Sequence, residues 1–455
     1  MLNKKFFQAF QSLLFGLATV SLGSQIISIR PIQDDYFILG AVSTGSITEL
    51  LLSTWNLQGG NLVPYAFSAV ASKYTAVSLS YWLQACFLVV TVILIIILSL
   101  LFLSWLGITE HKSKILLPLL LILSFEGVFT PLQIAAYSWA QTSIAHLWPV
   151  LLTFIVIFSI ENPRNKAFFC LLSGLTVGNS NSAEALWSIF SVFLFILIFF
   201  RKFDPLSKRT IMIKLFNFLL GAFSGLIITL VAPGFWNRAN TSVGFPSSFN
   251  ELTTRFLKSL SAFGFDLLTH PFLYLTFFVS ICYLGASSEK LTNFEGKIKF
   301  LLLSSAALFG LLVLGTTAGY PAWHQSLGLF PVFSLSVFLL GIKYRLTLSR
   351  LKPRFLAIVL SIVIALGSVI SLRTSLAVEQ RANSWDIDFQ RNYCLLITSK
   401  DVSMDQLPLL GPEIIYPLFN KGIEDIQTWE WMRVGYIKWI KSGKIQNPPD
   451  CKISR

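Results

Sequence analysis

Two adjacent carboxylates, Asp34 and Asp35, stand immediately after the first long apolar run of the chain. Neighbouring carboxylates repel one another unless a cation or hydrogen-bond donors lie close. Such a pair suits a general base or a metal ligand at a membrane interface. The plain alternative is a solvated pair capping a helix. Other polar groups border or interrupt later apolar runs. Glu126 lies inside one, and His146 lies within the stretch Tyr137 to Pro149. Glu184 closes Asn179-Ser-Asn-Ser-Ala-Glu184, Arg238 closes Ala232-Pro-Gly-Phe-Trp-Asn-Arg238, and His324-Gln325 follows Tyr320-Pro-Ala-Trp. An ionisable side chain in or beside lipid is costly, so it usually faces a cavity and has a task. Each also has an ordinary reading: Glu126 as a protonated packing residue, His146 as a satisfied core histidine, Arg238 as an interfacial side chain reaching for water.

The elements that must position these groups are membrane spans. Of 455 residues, 54% are hydrophobic and 13% charged, against about 25% charged in an ordinary soluble domain. So few charges cannot cover a surface in water, and the mean hydropathy of +0.68 agrees. Runs of about 20 apolar residues are needed to cross a bilayer. The candidates are Phe7–Ile29, Thr75–Leu106, Ile115–Thr130, His146–Ile160, Ala167–Val177, Ala185–Phe200, Met212–Val231, Leu267–Ala286, Phe300–Thr317, His324–Ile342 and Phe355–Leu372. The expected fold is therefore an all-α polytopic membrane protein with about eleven spans. The fifth run is short enough for a re-entrant hairpin. The first is longer than a signal-peptide core and has no clear small-x-small cleavage site, so it reads as a retained span.

The formal net charge of +13 describes topology and not a nucleic-acid surface. From Thr374 to the end, ten Lys/Arg face ten Asp/Glu, so the excess lies between the apolar runs. Lys4/Lys5, His111–Lys114, Arg164/Lys166, Arg201–Lys214, Glu289–Lys299 and Lys343–Arg354 occupy alternate loops. The positive-inside rule puts them and the amino terminus in the cytoplasm. Segments 30–74, 131–145, 179–184, 232–266, 318–323 and the tail then face outward. All the candidate groups except Glu126 fall on that face. The chain divides into a membrane domain, 1–373, with its outer loop 30–74, and an extracytoplasmic tail, 374–455. Within the loop, Ile38 to Trp55 reads as an interfacial amphipathic helix and Gln58-Gly-Gly-Asn61 as a turn. No Cys or His spacing suggests zinc. Cys394 and Cys451 are the two tail cysteines, and in an oxidising outer compartment a bridge between them would contribute about 3–4 kcal/mol.

Taken in order, these motifs resemble the GT-C superfamily of membrane glycosyltransferases, and most closely a bacterial branch of multi-pass proteins. The resemblance rests on Asp34-Asp35-Tyr36, on Trp139-Ala-Gln-Thr-Ser-Ile-Ala-His-Leu-Trp-Pro149, on Asn181 to Glu184, and on Ala232-Pro-Gly234 followed by Arg238. The tail segments Gln380 to Arg391 and Trp429 to Ile445 also fit, so the likeness runs over most of the chain. Two departures stand out. Ala145-His146 replaces the branch's Asn-Tyr, and Gly59-Gly60 replaces its Gly-Arg after Trp55-Asn56. The lost arginine implies altered substrate recognition or an inactive relative.

The resemblance implies a bacterial plasma-membrane enzyme that moves a hexosyl or pentosyl group on the outer face. The donor is a polyprenyl-phosphate-linked sugar, and the acceptor is a hydroxyl of a glycan, lipid or protein. It implies Asp34 as general base and Asp35 as its hydrogen-bonding partner or the ligand of a divalent metal, a cofactor the sequence neither requires nor excludes. Arg238, His324 and His146 are candidates to meet the departing lipid phosphate, and Glu184 to orient the sugar or the base. The alternative from another class is a multi-pass transporter or lipid/glycan flippase, which matched halves with broken helices would favour. A scaffold using its tail, or a polymerase with a large arginine-rich outer loop, fits the residues less well.

Overall fold

The computed structural model describes residues 4–30, 34–79, 81–125, 136–137, 140–162, 164–241, 246–283, 293–318, 323–348, 353–398 and 430–451. Among them there are helices, turns and no strand. In lipid each backbone N–H and C=O must be satisfied within its own segment, which a helix does and an open strand does not. The first span is α1 (Lys4–Ile27). The outer loop folds as α2 (Asp34–Thr44), α3 (Ile47–Ser53), a π turn (Thr54–Gln58) and α4 (Leu62–Ser78). There follow α5 (Trp82–Leu106), α6 (His111–Leu123), α7 (Ala140–Phe158), α8 (Ala167–Gly178), α9 (Ser182–Phe199), α10 (Pro205–Val231) and α11 (Pro233–Thr241). The last elements are α12 (Phe249–Thr269), α13 (Pro271–Tyr283), α14 (Phe294–Ala318), a 3₁₀ turn (Trp323–Gly328), α15 (Leu329–Leu348), α16 (Pro353–Thr398) and α17 (Glu430–Lys441).

Among the described residues, eight helices are long and apolar enough to cross a membrane, and nine if α12 and α13, bent by 44° at their break, form one span. Helix α5 shows why: its 25 residues carry no charge, and at about 1.5 Å rise per residue they reach about 37 Å. Two of the eleven expected runs form helices shorter than that test requires. Helix α6 has 13 residues, and residues 126–130 of that run, with Glu126, lie outside the described residues. Helix α8 has 12. The run expected to start at Thr75 is two elements, because Leu79 takes a left-handed backbone (φ 54) that ends α4 before α5 begins. Ile38 to Trp55 is likewise not one helix. Ser46 caps α3 in a box with Glu49, whose carboxylate accepts from the Ser46 N–H.

Helix α8 nevertheless runs through the bundle. Gly174 and Gly178 lie against Gly221 and Gly225 of α10 in parallel order. A Cβ on Gly174 would stand 2.0 Å from the Phe218 carbonyl oxygen, and one on Gly178 would stand 2.0 Å from that of Ala222. Small residues spaced by four let two backbones touch, the usual means of helix association in lipid. Two parallel helices with α9 returning between them fit three successive traverses.

Four basic loops meet at one end of this bundle. Lys214 on α10 donates to the carbonyls of Ile160 and Asn162 at 2.9 and 2.8 Å. Lys297 on α14 donates to the Trp105 carbonyl at 2.6 Å and lies over the Trp105 ring, and Lys202 pairs with Asn293. The two buried lysines, Lys214 and Lys297, satisfy carbonyls that would otherwise be stranded where a helix ends. An aromatic block seals this end, with Trp105 stacked on Phe158 at 4.8 Å and Phe199 and Phe300 against both Trp105 and one another.

A second apolar core lies apart from the bundle core. It joins Tyr36, Leu39, Leu50 and Tyr65 of the outer-loop helices to Trp385, Phe389, Tyr436 and Trp439. Helix α16 supplies Trp385 and Phe389 by continuing without a break across 373/374, where the two domains were divided. The tail and the loop 30–74 therefore share one core. Cys394 and Cys451 are bonded, with Cα atoms 5.3 Å apart.

Candidate functional site

The acid pair begins helix α2, where carboxylates meet the positive end of the helix dipole. Asp34 is the first residue of the helix and its side chain lies outside the described residues; Asp35 is 4% exposed. Helix α2 is held between α4 and α17. Its crossing with α17 has no side chain between the backbones: a Cβ on Gly40 would be 2.2 Å from the Gly435 oxygen, and one on Gly435 would be 2.7 Å from the Phe37 Cα. Trp385 donates its indole N–H to the Tyr36 hydroxyl at 2.8 Å, and Tyr36 meets Tyr436 edge-on. Arg30 is committed elsewhere. It grips Asp386 with two hydrogen bonds of 2.7 and 2.6 Å and lies over the rings of Tyr81 and Trp385.

Asn179 fastens the outer loop to the bundle. Its Oδ1 accepts from the Val63 N–H at 2.9 Å, and its Nδ2 donates to the Gly60 carbonyl at 2.9 Å and to Thr229 at 3.1 Å. The same contact explains the departure at Gly59-Gly60. Gly60 has φ +75, and a Cβ there would stand 2.4 Å from the Cβ of Ala232. An arginine at this position would be strained and overlapped at once, so the second glycine goes with a turn pressed onto the start of α11. Helix α11 carries Arg238, whose side chain lies outside the described residues. It packs on the Thr54–Gln58 turn through the Asn237 amide, which donates to the Asn56 carbonyl at 3.2 Å. The acid pair thus sits on a helix of the folded first outer loop, and Arg238 on a helix packed against that loop.

His146 and Glu184 form a separate buried pair. His146 Nδ1 and Glu184 Oε1 are 2.8 Å apart, with side chains 8% and 0% exposed. A π turn, Ser143–Leu147, presents His146 within α7; such turns recur at functional sites. Asn181 caps α9, accepting from the Ala183 N–H, and puts Glu184 third in the helix. There a capping box would turn the carboxylate back to the Asn181 N–H. Here it reaches across to α7 instead. The 3₁₀ turn that bears His324 packs against the π turn, with Gly328 close beneath the His146 carbonyl. The His324 side chain lies outside the described residues.

Of the expected site residues, the structure pairs His146 with Glu184 and stands the His324 turn beside them. Beside a carboxylate, His146 is poorly placed to meet a phosphate. No group of three His, Cys, Asp or Glu among the described residues could hold a metal. Sequence reading passed over His270. It is fully buried at the bend between α12 and α13, with Nε2 bonded to the Ser124 carbonyl, and the only signal was a His-Pro step in an apolar run. It also gave no role to Asn179 or Thr229. No protein-family model, curated protein or solved structure matches this chain.

Proposed function

We propose that this chain is a GT-C-like glycosyltransferase. It moves a sugar from a polyprenyl-phosphate carrier to an acceptor hydroxyl at the membrane face opposite the basic loops. The observation that carries this reading is the placing of the Asp34-Asp35 pair at the start of a helix clamped between α4 and α17 and joined through its loop to the helix of Arg238. Asp34 accepts the acceptor's proton as its oxygen attacks the anomeric carbon. Asp35 orients Asp34, and Arg238 meets the charge growing on the leaving phosphate. No step is assigned to a metal. The positive-inside rule supports a cytoplasmic basic end and eleven crossings of a bacterial plasma membrane, α6 and α8 included. The disulfide supports the same orientation independently, since it belongs in an oxidising compartment.

The transporter or flippase alternative would draw on the bend between α12 and α13. It is the one bent helix pair of its kind among the described residues, and matched halves need two. The test is release of polyprenyl phosphate by the purified protein in vesicles, given a panel of polyprenyl-phosphate hexoses and pentoses with a mixed-hydroxyl acceptor. Turnover that depends on Asp34 is the expected result. Movement of an intact lipid-linked sugar across the bilayer without cleavage would replace this reading with the alternative.

A further inference from the structure

The transfer proposed above uses neither member of the buried pair on α7 and α9, and the pair's own geometry defines a ligand. Glu184 is fully buried, yet among the described residues its Oε2 has no hydrogen-bond partner. Leaving a buried carboxylate oxygen unpaired is far costlier than leaving a neutral one. A carboxylate and an uncharged imidazole together carry one negative charge, which is costly in a low-dielectric core. One added proton removes that charge.

We propose that His146 and Glu184 form a proton-binding site that exchanges with the face opposite the basic loops. The loaded pair is either imidazolium with carboxylate or imidazole with carboxylic acid. The two forms interconvert by transfer along the 2.8 Å Nδ1–Oε1 hydrogen bond. The proton comes from water at that face and returns to it, so charge and atoms balance with no further reactant. A side-chain exposure of 8% and 0% leaves no room for a sugar, whereas a proton needs none.

The surroundings make the exchange one-sided. Asn181 to Ala183, one helical turn above Glu184, are half-exposed. Below it, Ser188 and Ser191 continue the same face of α9 and are hydrogen-bonded to Thr153 and Ser304. Then Phe195 and Phe199 join the aromatic block. Among the described residues, the other titratable groups on the elements packed around the pair, the His324 turn apart, are engaged elsewhere. Lys214, Lys297 and Cys170 are engaged at the basic end. Lys73 is exposed, and Tyr65 belongs to the second core. His324, on the adjoining 3₁₀ turn, shares this end with the pair.

The experiment is infrared difference spectroscopy of the purified full chain between about pH 8 and about pH 5, the range in which histidine-linked protons exchange. The wild type should gain a protonated-carboxyl band that Glu184→Gln lacks. Glu184→Asp, which keeps a carboxyl, should retain the band at a shifted frequency. In His146→Gln the pH of half-change should move. An undiminished band in Glu184→Gln, no band in the wild type, or a half-change unmoved in His146→Gln would each overturn the proposal. The measurement uses no substrate, so its failure leaves the transferase reading standing, and failure of sugar transfer leaves the proton site standing.

Discussion

Asp34 and Asn179 do different work, and substitution separates them. Asn at position 34 keeps the volume and caps a helix about as well as Asp, but it takes no proton at neutral pH. Asp34→Asn is expected to lower transfer by roughly a hundred- to ten-thousand-fold with unchanged expression and melting temperature. A variant keeping more than about a tenth of the wild-type rate would return Asp34 to a capping role. Asn179 is structural. Asn179→Leu removes the partner of the Val63 N–H and one of two donors to the Gly60 carbonyl, which keeps the Leu62 N–H, and a group left unsatisfied costs about 1–3 kcal/mol. Its effect should appear as faster amide exchange in residues 60–78, with the bundle still protected. Unchanged exchange there would mean that the loop is held by apolar contact alone.

At the scale of the element, close helix crossings govern the fold. Gly174→Leu or Gly225→Leu would drive a side chain into the facing backbone of the α8–α10 pair, and overpacking of that kind costs about 1–3 kcal/mol or more. Either variant should lower the melting temperature in detergent, while Gly310→Leu, on α14 with open space around it, should not. Equal effects at all three positions would remove the special role of the crossing. These small-residue steps were present in the sequence as Gly174-x-x-x-Gly178 and Gly221-x-x-x-Gly225. A run count, however, weighs apolar length and is blind to which glycine faces which helix. The short α8 was therefore legible as an apolar segment, while its parallel seat on α10 was not.

For the whole molecule, the two cores and the two ends make separate predictions. A reporter enzyme that folds only outside the cytoplasm should be active when fused after Arg455, and activity restricted to a cytoplasmic reporter would invert the topology. Replacing both Cys394 and Cys451 by Ser should destabilise the tail by about 3–4 kcal/mol. The loss should show in amide exchange of α17 and of α2 together, because the two helices share a core. Loss confined to α17 would mean that the tail is an independent domain.

The sequence by itself determined the solvent of the apolar runs and carried the charge pattern on which the proposed direction of the chain rests. Apolar runs need lipid, and lysines and arginines on alternate loops assign the loops to two ends, because both signals are local and need no partner to be read. The pairing of Cys394 with Cys451 was legible for a similar reason, as they are the two cysteines of the tail. What only the tertiary structure decided are relations between segments distant in the chain. Glu184 reads in sequence as the third residue of a capped helix, and it is His146, 38 positions earlier, that draws its carboxylate into the core. Gly60 reads as a lost arginine until Ala232 is found against it. The tail reads as an appendage until Gly435 is laid on Gly40. A side chain's local preference is worth about 1 kcal/mol, and a contact that buries a charge or joins two backbones outweighs it.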